Sequence, residues 1–440
     1  MKQVSVRHKS GESQFLDIFG VDVLSPVPAR TMYYANRIIF SVLVLCIVHA
    51  GMAASVHGEG LSPDTQGVFG RYSDRVGKIR VVEVKSGAKS GIGSGFFVSA
   101  EGHILTNYHV VSTLIHHPER YRAEFIDSNG DVYKLSVAGV DVVNDLAITL
   151  SATRPSHYFR LAPAHVSQGA RLYSLGYPHD IGISIVEGTY NGFLKNAFNK
   201  KIHFTGSINP GMSGGPAITA SGTVVGINVA TAGNQVSFLV PVKKAFTLFK
   251  ATSAAGSAKP GTFLDDVRSQ LLSHQDAYMP DDLVRSGKTM ELGKYELPGR
   301  LAPFFNCWAD SADRKKYPYQ VVTHQCSTND VIYISGTHKS GSIKFQHRLI
   351  TTDKLNRFRF HALYSEFFRK TFGFLYSTEE EVTRYRCKTD TVEHGGIPFK
   401  TLFCARSYRK LPGLYDVVFK AAVLGQADRG LETTLVLSGV

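Results

Sequence analysis

Between Asn209 and Pro216 the chain reads NPGMSGGP, which sets Ser213 among Gly211, Gly214 and Gly215. A serine hydroxyl is a poor nucleophile until a base takes its proton, and attack on a carbonyl needs N–H donors for the oxygen that becomes charged. Glycines let the backbone turn sharply and present bare amides. A lone GxSGG is also an ordinary tight turn, so this chemistry requires a base and an acid elsewhere. TNYHVV (106–111) offers His109 at the end of a strand-like run, and NDLAI (144–148) offers Asp145 leading into an apolar strand. Asp141 is the competing acid and reads as a turn residue. His103, His116 and His117 fit no motif and read as surface histidines.

The elements that must position these residues are strands. KIRVVEV, GSGFFVSA and HILTNYHVV are β-rich and separated by Gly or Ser clusters. EFIDSNGDVYKLSV places Asn129-Gly130 between two alternating runs, a hairpin signal, and AITASGTVVGINVA repeats the pattern at Ser221-Gly222. Short strands at regular spacing from about 68 to 242 predict a barrel or sandwich, or two small barrels. After Pro241, VKKAFTLFKA predicts a short amphipathic helix, and 251–262 has linker composition. Thr262 with Asp265 forms a capping-box pattern before a helix whose apolar face is Leu264, Val267, Leu271 and Tyr278. The remainder, 263–440, reads as a separate α+β domain. Within it, residues 344–370 alternate basic and aromatic side chains, as a two-faced strand with Arg357 and Arg359 in water would.

GIGSGFFVSAEGHILTNYHVV, NDLAI and SINPGMSGGPAI, in that order, resemble the three signature blocks of trypsin-like serine proteases, and most of all the Deg/HtrA branch. The resemblance covers roughly 68–250. It implies an all-β double barrel of the chymotrypsin kind with the active site between the barrels. It also implies roles: Ser213 as nucleophile, His109 as general base and then acid, Asp145 orienting the imidazole, and the amides of Gly211 and Ser213 as oxyanion hole. Each such donor is worth about 3 kcal/mol. Ser207 would stand at the base of the specificity pocket, with walls from Val229, Ala230, Thr231, Ser237, Phe238 and Leu239. With no acid there, a neutral or small apolar side chain is expected at the cleaved position. Neither metal nor organic cofactor is implied.

Two features depart from the wider family. No Ile-Val-Gly-Gly start is present, and Met212 precedes Ser213 where digestive members have an Asp that pairs with a new amino terminus. No carboxylate-binding loop of a PDZ domain follows Lys250. The resemblance implies protein or peptide substrates, among them unfolded envelope proteins, and homo-oligomers of the kind Deg-like enzymes commonly form. The alternative is a regulated or latent protease, or a binding scaffold, acting on one partner through the C-terminal domain.

Composition constrains partners and compartment. The 49 Lys+Arg against 36 Asp+Glu give a formal charge of +13, spread along the chain without a run of five or six. That describes a solvated basic surface rather than a nucleic-acid arm, and no specific nucleic-acid binding is expected. IIFSVLVLCIV follows Arg37 and ends near Ala50, Ala53 and Ala54, a secretory signal within 1–54. Met32 is the expected true start, giving a signal at about 32–54 and export to the periplasm or beyond. An uncleaved signal anchor is the alternative. Apart from Cys46 in that segment, the cysteines are Cys307, Cys326, Cys387 and Cys404. An even number in an exported protein suggests disulfides 307–326 and 387–404 among three connectivities. Zinc is the alternative, but no CxxC spacing is present.

Overall fold

The strands expected between 68 and 242 close into two barrels in a computed structural model that describes residues 63–255, 263–280, 283, 287–311, 317–370, 375 and 377–440. The first barrel contains β1 (Val76–Glu83), β2 (Lys89–Phe97), β3 (His103–Thr106), β4 (Tyr121–Ile126), β5 (Val132–Asp141) and β6 (Leu146–Ser151). The second contains β7 (Arg171–Gly176), β8 (Ser184–Phe193), β9 (Ile202–Phe204), β10 (Pro216–Ile218), β11 (Val224–Gly233) and β12 (Val236–Pro241). Around the first the order is β1-β2-β3-β6-β5-β4, and around the second β7-β8-β9-β12-β11-β10, so the two share one topology. Closure leaves neither sheet a free edge. The Asn129-Gly130 turn joins β4 to β5, where Asp127 Oδ1 accepts the N–H groups of Asn129 and Asp131. The expected signal region lies outside the described residues, as do 256–262. No described helix is long and apolar enough to cross a membrane.

Among the described residues, five helices of eight or more residues accompany the strands: α1 (Pro63–Tyr72), α2 (Tyr108–His116), α3 (Val242–Ala255), α4 (Phe263–Tyr278) and α5 (Arg357–Arg369). Helix α3 takes in residues 251–255, which composition had assigned to the linker. Thr252 is buried there, its hydroxyl donating to Leu248 O (2.9 Å). A small polar residue carries no loop signal of its own when a neighbouring barrel, here at Gly139, packs against it. Helix α4 buries Val267 and Leu271 in the core of the first barrel, as its apolar face predicts. Gln270 ties it down, donating to Val140 O (2.9 Å) and accepting from the Val142 N–H (2.8 Å).

The rest of the chain centres on a seven-stranded antiparallel sheet. Hairpin β13 (Thr289–Leu292) and β14 (Tyr295–Pro298) precedes it. Its strands are β15 (Phe305–Ser311), β16 (Gln320–Thr328), β19 (Ile343–Thr351), β20 (Arg386–His394), β21 (Ile397–Ser407), β22 (Tyr415–Val423) and β23 (Arg429–Ser438), in the order β15-β16-β19-β23-β22-β21-β20. Between β16 and β19 lies a small pair, β17 (Ile332–Tyr333) and β18 (Lys339–Ser340). Cys307 pairs with Cys326 across β15 and β16, and Cys387 with Cys404 across β20 and β21. Each disulfide therefore staples one edge strand of the sheet to its neighbour. The stretch read as one two-faced strand is β19 followed by α5. Asn356 caps the helix by accepting the Arg359 N–H (3.0 Å), so Arg357 and Arg359 are exposed on a first helical turn. The Asn cap outweighs the alternation because it satisfies amides the helix cannot.

Candidate active site

His109 sits on a helix, not at a strand end. Strand β3 stops at Thr106, Asn107 is extended (φ −82°, ψ 149°), and α2 begins at Tyr108, which places His109 in its first turn. The Asn107 side chain leaves the helix uncapped and instead donates to Asp145 O (2.7 Å). That bond fixes the residue after β5 and before β6, where Asp145 is held at φ 56°. Its carboxylate grips His109 twice: Oδ1 accepts the backbone N–H (2.8 Å) and Oδ2 faces the ring Nδ1 (2.7 Å). The Asp145 side chain is 8% exposed and the imidazole 25%. Burial disfavours the charged ring, but the Asp145 charge and hydrogen bond outweigh it, and the His109 pKa stands above its ordinary value. Asp141, the rival acid, accepts the backbone and side-chain N–H groups of Asn144 and serves a turn.

The other histidines differ from expectation. His116 is buried, with Nε2 3.2 Å from Tyr108 Oη; burial and Lys410 push its pKa down to about 4. His103 is half-buried and bonded to Ser99, while His117 is half-buried beside Lys410. Lys410 lies 293 residues from His117, and Phe249, whose ring stands 5.5 Å from that of His103, is also remote in sequence, which motif spacing does not reveal.

Ser213 comes from the second barrel, on the loop before β10. The Ser94 N–H donates to Ser213 O (2.8 Å), and a side chain at Gly214 would collide with Ser94 O and Thr106 Oγ1, so the serine loop lies against the strand end that leads to His109. Only glycine permits that approach, at φ +87°. Five consecutive carbonyls of the loop are anchored. Asn209 O accepts from the Met212 N–H, Pro210 O from the His179 N–H (2.8 Å), and Gly211 O from Ser94 Oγ (2.7 Å). Met212 O accepts from Asn228 Nδ2 (3.2 Å) and Ser213 O from Ser94. The N–H groups of Met212, Gly214 and Gly215 are used internally as well. Among the described residues, the N–H groups of Gly211 and Ser213 meet no acceptor, and the Ser213 hydroxyl makes no hydrogen bond.

The carbonyl of Pro210 decides where the Gly211 amide points, because C=O and N–H face opposite ways across one planar peptide. His179 holds that carbonyl, and its own backbone is unusual: His179 and Asp180 are both left-handed (φ 48° and 64°). Such a conformation costs about 1–3 kcal/mol per residue and persists only where the surroundings enforce it. Asp180 is pinned to the first barrel by Lys78 (2.6 Å) and Lys89 (2.5 Å), which hold its carboxyl down at about 2. Met212 is fully buried among Ile208, Ala217 and Leu239. Where digestive enzymes use an ion pair next to the serine, this loop is set by an apolar plug and by contacts from the β7–β8 connection.

Of the expected pocket residues, Val229 and Leu239 are packed in barrel cores, and Ser237 is fully buried with its Oγ accepting the Ile208 N–H (3.2 Å). Ser207 and Thr231 are exposed, and Ala230 and Phe238 are half-buried, so these four retain accessible surface. The disulfide cysteines lie in the C-terminal sheet. Cys307, Cys326 and His324 are close enough to share an ion, but both sulfurs are taken by the disulfide.

Residues 93–227 match the family of trypsin-like peptidase domains. The chain is 31% identical over 179 residues to Protease Do-like 1, chloroplastic, of Arabidopsis thaliana, covering 37% of this chain and 38% of that one. It is 28% identical over 202 residues to a probable periplasmic serine endoprotease DegP-like of Marinomonas, covering 42% and 41%. With Serine endoprotease DegS of Haemophilus influenzae the identity is 29% over 192 residues, covering 40% and 54%. The chain thus spans about two-fifths to half the length of these relatives. Twin barrels of one topology, together with this match, define a trypsin-like serine peptidase domain. The relatives it resembles include DegP-like and DegS serine endoproteases.

Proposed function

We propose that the protein is an exported serine endopeptidase that cleaves unfolded or damaged envelope proteins through an acyl-enzyme. Ser213 attacks the peptide carbonyl, His109 Nε2 takes its proton and returns it to the leaving amine, and water then releases the acyl group. Asp145 holds the ring with Nδ1 protonated, which leaves Nε2 as the acceptor. The amides of Gly211 and Ser213 receive the charge on the carbonyl oxygen. The carrying observation is that pair of unengaged amides on a loop with five consecutive anchored carbonyls, which lies against the strand end leading to the His–Asp pair. A serine–histidine bond absent before substrate arrives is common in such sites. The signal-like segment and two disulfides support export, and assembly into homo-oligomers would follow the Deg pattern. Specificity rests on Ser207, Ala230, Thr231 and Phe238, which favour a neutral side chain.

A fluorophosphonate probe with peptide mapping tests the nucleophile. Wild type is expected to label at Ser213 alone, and Ser213→Ala not at all. Folded wild type that stays unlabelled, with or without an unfolded protein present, would leave a binding scaffold. A second expectation concerns the loop support. Asp180→Asn should lower kcat by roughly tenfold with little change in KM, a fraction of what losing a whole oxyanion donor costs. The carboxylate is ionised at every pH well above about 2, so this contribution is constant across the neutral range. Wild-type kcat in Asp180→Asn would remove the β7–β8 connection from the account.

A further inference from the structure

The connection between β16 and β19 leaves its own sheet and crosses to the peptidase domain. Asp330, 3% exposed, accepts the N–H groups of Phe198 (2.9 Å) and Asn199 (3.2 Å), on the β8–β9 loop of the second barrel. Two residues on, Ile332 and Ile334 are buried with Tyr108, Val110, Val111 and Ile115 of α2, on the first barrel. Tyr108 Oη donates to Ile334 O (3.1 Å). Alternation along VIYI turns Tyr333 the other way. Its ring meets the His109 imidazole at 5.4 Å between centroids, tilted by 44°, and Lys339 Nζ lies 5.0 Å from the same centroid. Tyr333 is half-buried, so the residue keeps some accessible surface. Five residues therefore link both barrels and put an aromatic side chain from the C-terminal domain on the general base. The shared apolar core makes this a built-in part of the cleft rather than a tethered module.

We propose that Tyr333 is a specificity-determining residue, the wall against which the substrate side chain just before the one at the cleaved carbonyl packs, and that it selects an apolar group there. This rests on the serine-peptidase reading above. A substrate lies extended, so its side chains alternate in direction. When the residue at the cleaved carbonyl points toward Ser207, its predecessor points away from that pocket, toward His109 and Tyr333. An aromatic face beside an imidazole offers that side chain apolar contact, and Lys339 disfavours a cationic one.

Cleavage-site profiling on a peptide library derived from a proteome tests this with the full mature chain, after fluorophosphonate labelling of Ser213 has been checked in each protein. Wild type should enrich apolar residues at that position. Tyr333→Ala should still label, yet lose about tenfold in kcat/KM for Leu over Gly there, the scale of a small apolar contact. Tyr333→Phe should keep the wild-type profile. If the alanine variant melts early, Tyr333→Leu replaces it, removing the aromatic face while retaining bulk. An unchanged profile in labelled Tyr333→Ala, or in the Tyr333→Leu that replaces it, overturns the proposal, as does a change confined to the leaving-group side or a uniform rise for all peptides. Wild type that does not label overturns the peptidase reading itself, and the subsite falls with it.

Discussion

Asp145→Asn is expected to lower kcat/KM by about four orders of magnitude while leaving the fold intact, the scale found when a triad acid is made an amide. The backbone tolerates the change, because asparagine accepts the left-handed conformation (φ 56°) that Asp145 adopts. The hydrogen-bond logic does not. In the wild type one carboxylate oxygen takes the His109 backbone N–H and the other takes ring Nδ1–H. An amide has one acceptor oxygen. If it serves the backbone N–H, the NH2 group faces Nδ1, which must then be unprotonated, and the proton moves to Nε2. A ring protonated at Nε2 cannot take the serine's proton.

The same substitution should move the pH profile. His109 in the wild type stands above its ordinary pKa near 6.5, so activity falls as pH drops through that raised value. Without the carboxylate the residual activity should persist to lower pH, since the remaining influence of burial disfavours the cation. Activity of Asp145→Asn within tenfold of wild type, with an unshifted acid limb, would show that Asp145 is not the orienting acid.

Glu432→Ala is expected to destabilise the C-terminal sheet by about 3–5 kcal/mol, the range for breaking a buried ion pair. Lys420 on β22 is fully buried, and its three ammonium protons meet three acceptors: Glu432 Oε1 (2.7 Å), Phe368 O (2.6 Å) and Lys370 O (3.2 Å). The two carbonyls belong to the end of α5, so one lysine caps the helix and docks it to the sheet. Glu432 on β23 also accepts from Arg348 (3.4 Å). Removing the carboxylate strands a buried cation, whereas Lys420→Met combined with Glu432→Leu should recover much of the loss. Urea unfolding followed at Trp308, the sole tryptophan, reads this sheet directly because the residue lies on β15. A midpoint unchanged in Glu432→Ala would refute the assignment.

Much of the peptidase domain was legible from local signals. The Asn129-Gly130 and Ser221-Gly222 turns mark hairpins because few residues accept the backbone they require, and Gly222 indeed has φ +82°. The helix at 263–278 was visible in its apolar face, and the glycines around Ser213 in the close approach they permit. Cys307–Cys326 and Cys387–Cys404 join neighbouring antiparallel strands, the geometry that short separations favour.

What the chain's order could not reveal depends on contacts between distant segments. HILTNYHVV looks like one strand by composition, yet Asn107 turns toward Asp145 O, 38 residues away, and the chain becomes helical before His109. Residues 344–370 alternate like a strand until a cap at Asn356 and a lysine 50 residues beyond the helix make part of them α5. The orientation of the Gly211 amide follows from a carbonyl held by His179, and VIYI is an anonymous apolar run until its neighbours are known. Local sequence determines which backbone conformations and side-chain chemistries are available. Packing across long separations decides which are used, because burying a polar group or ring is favourable only where a partner already waits.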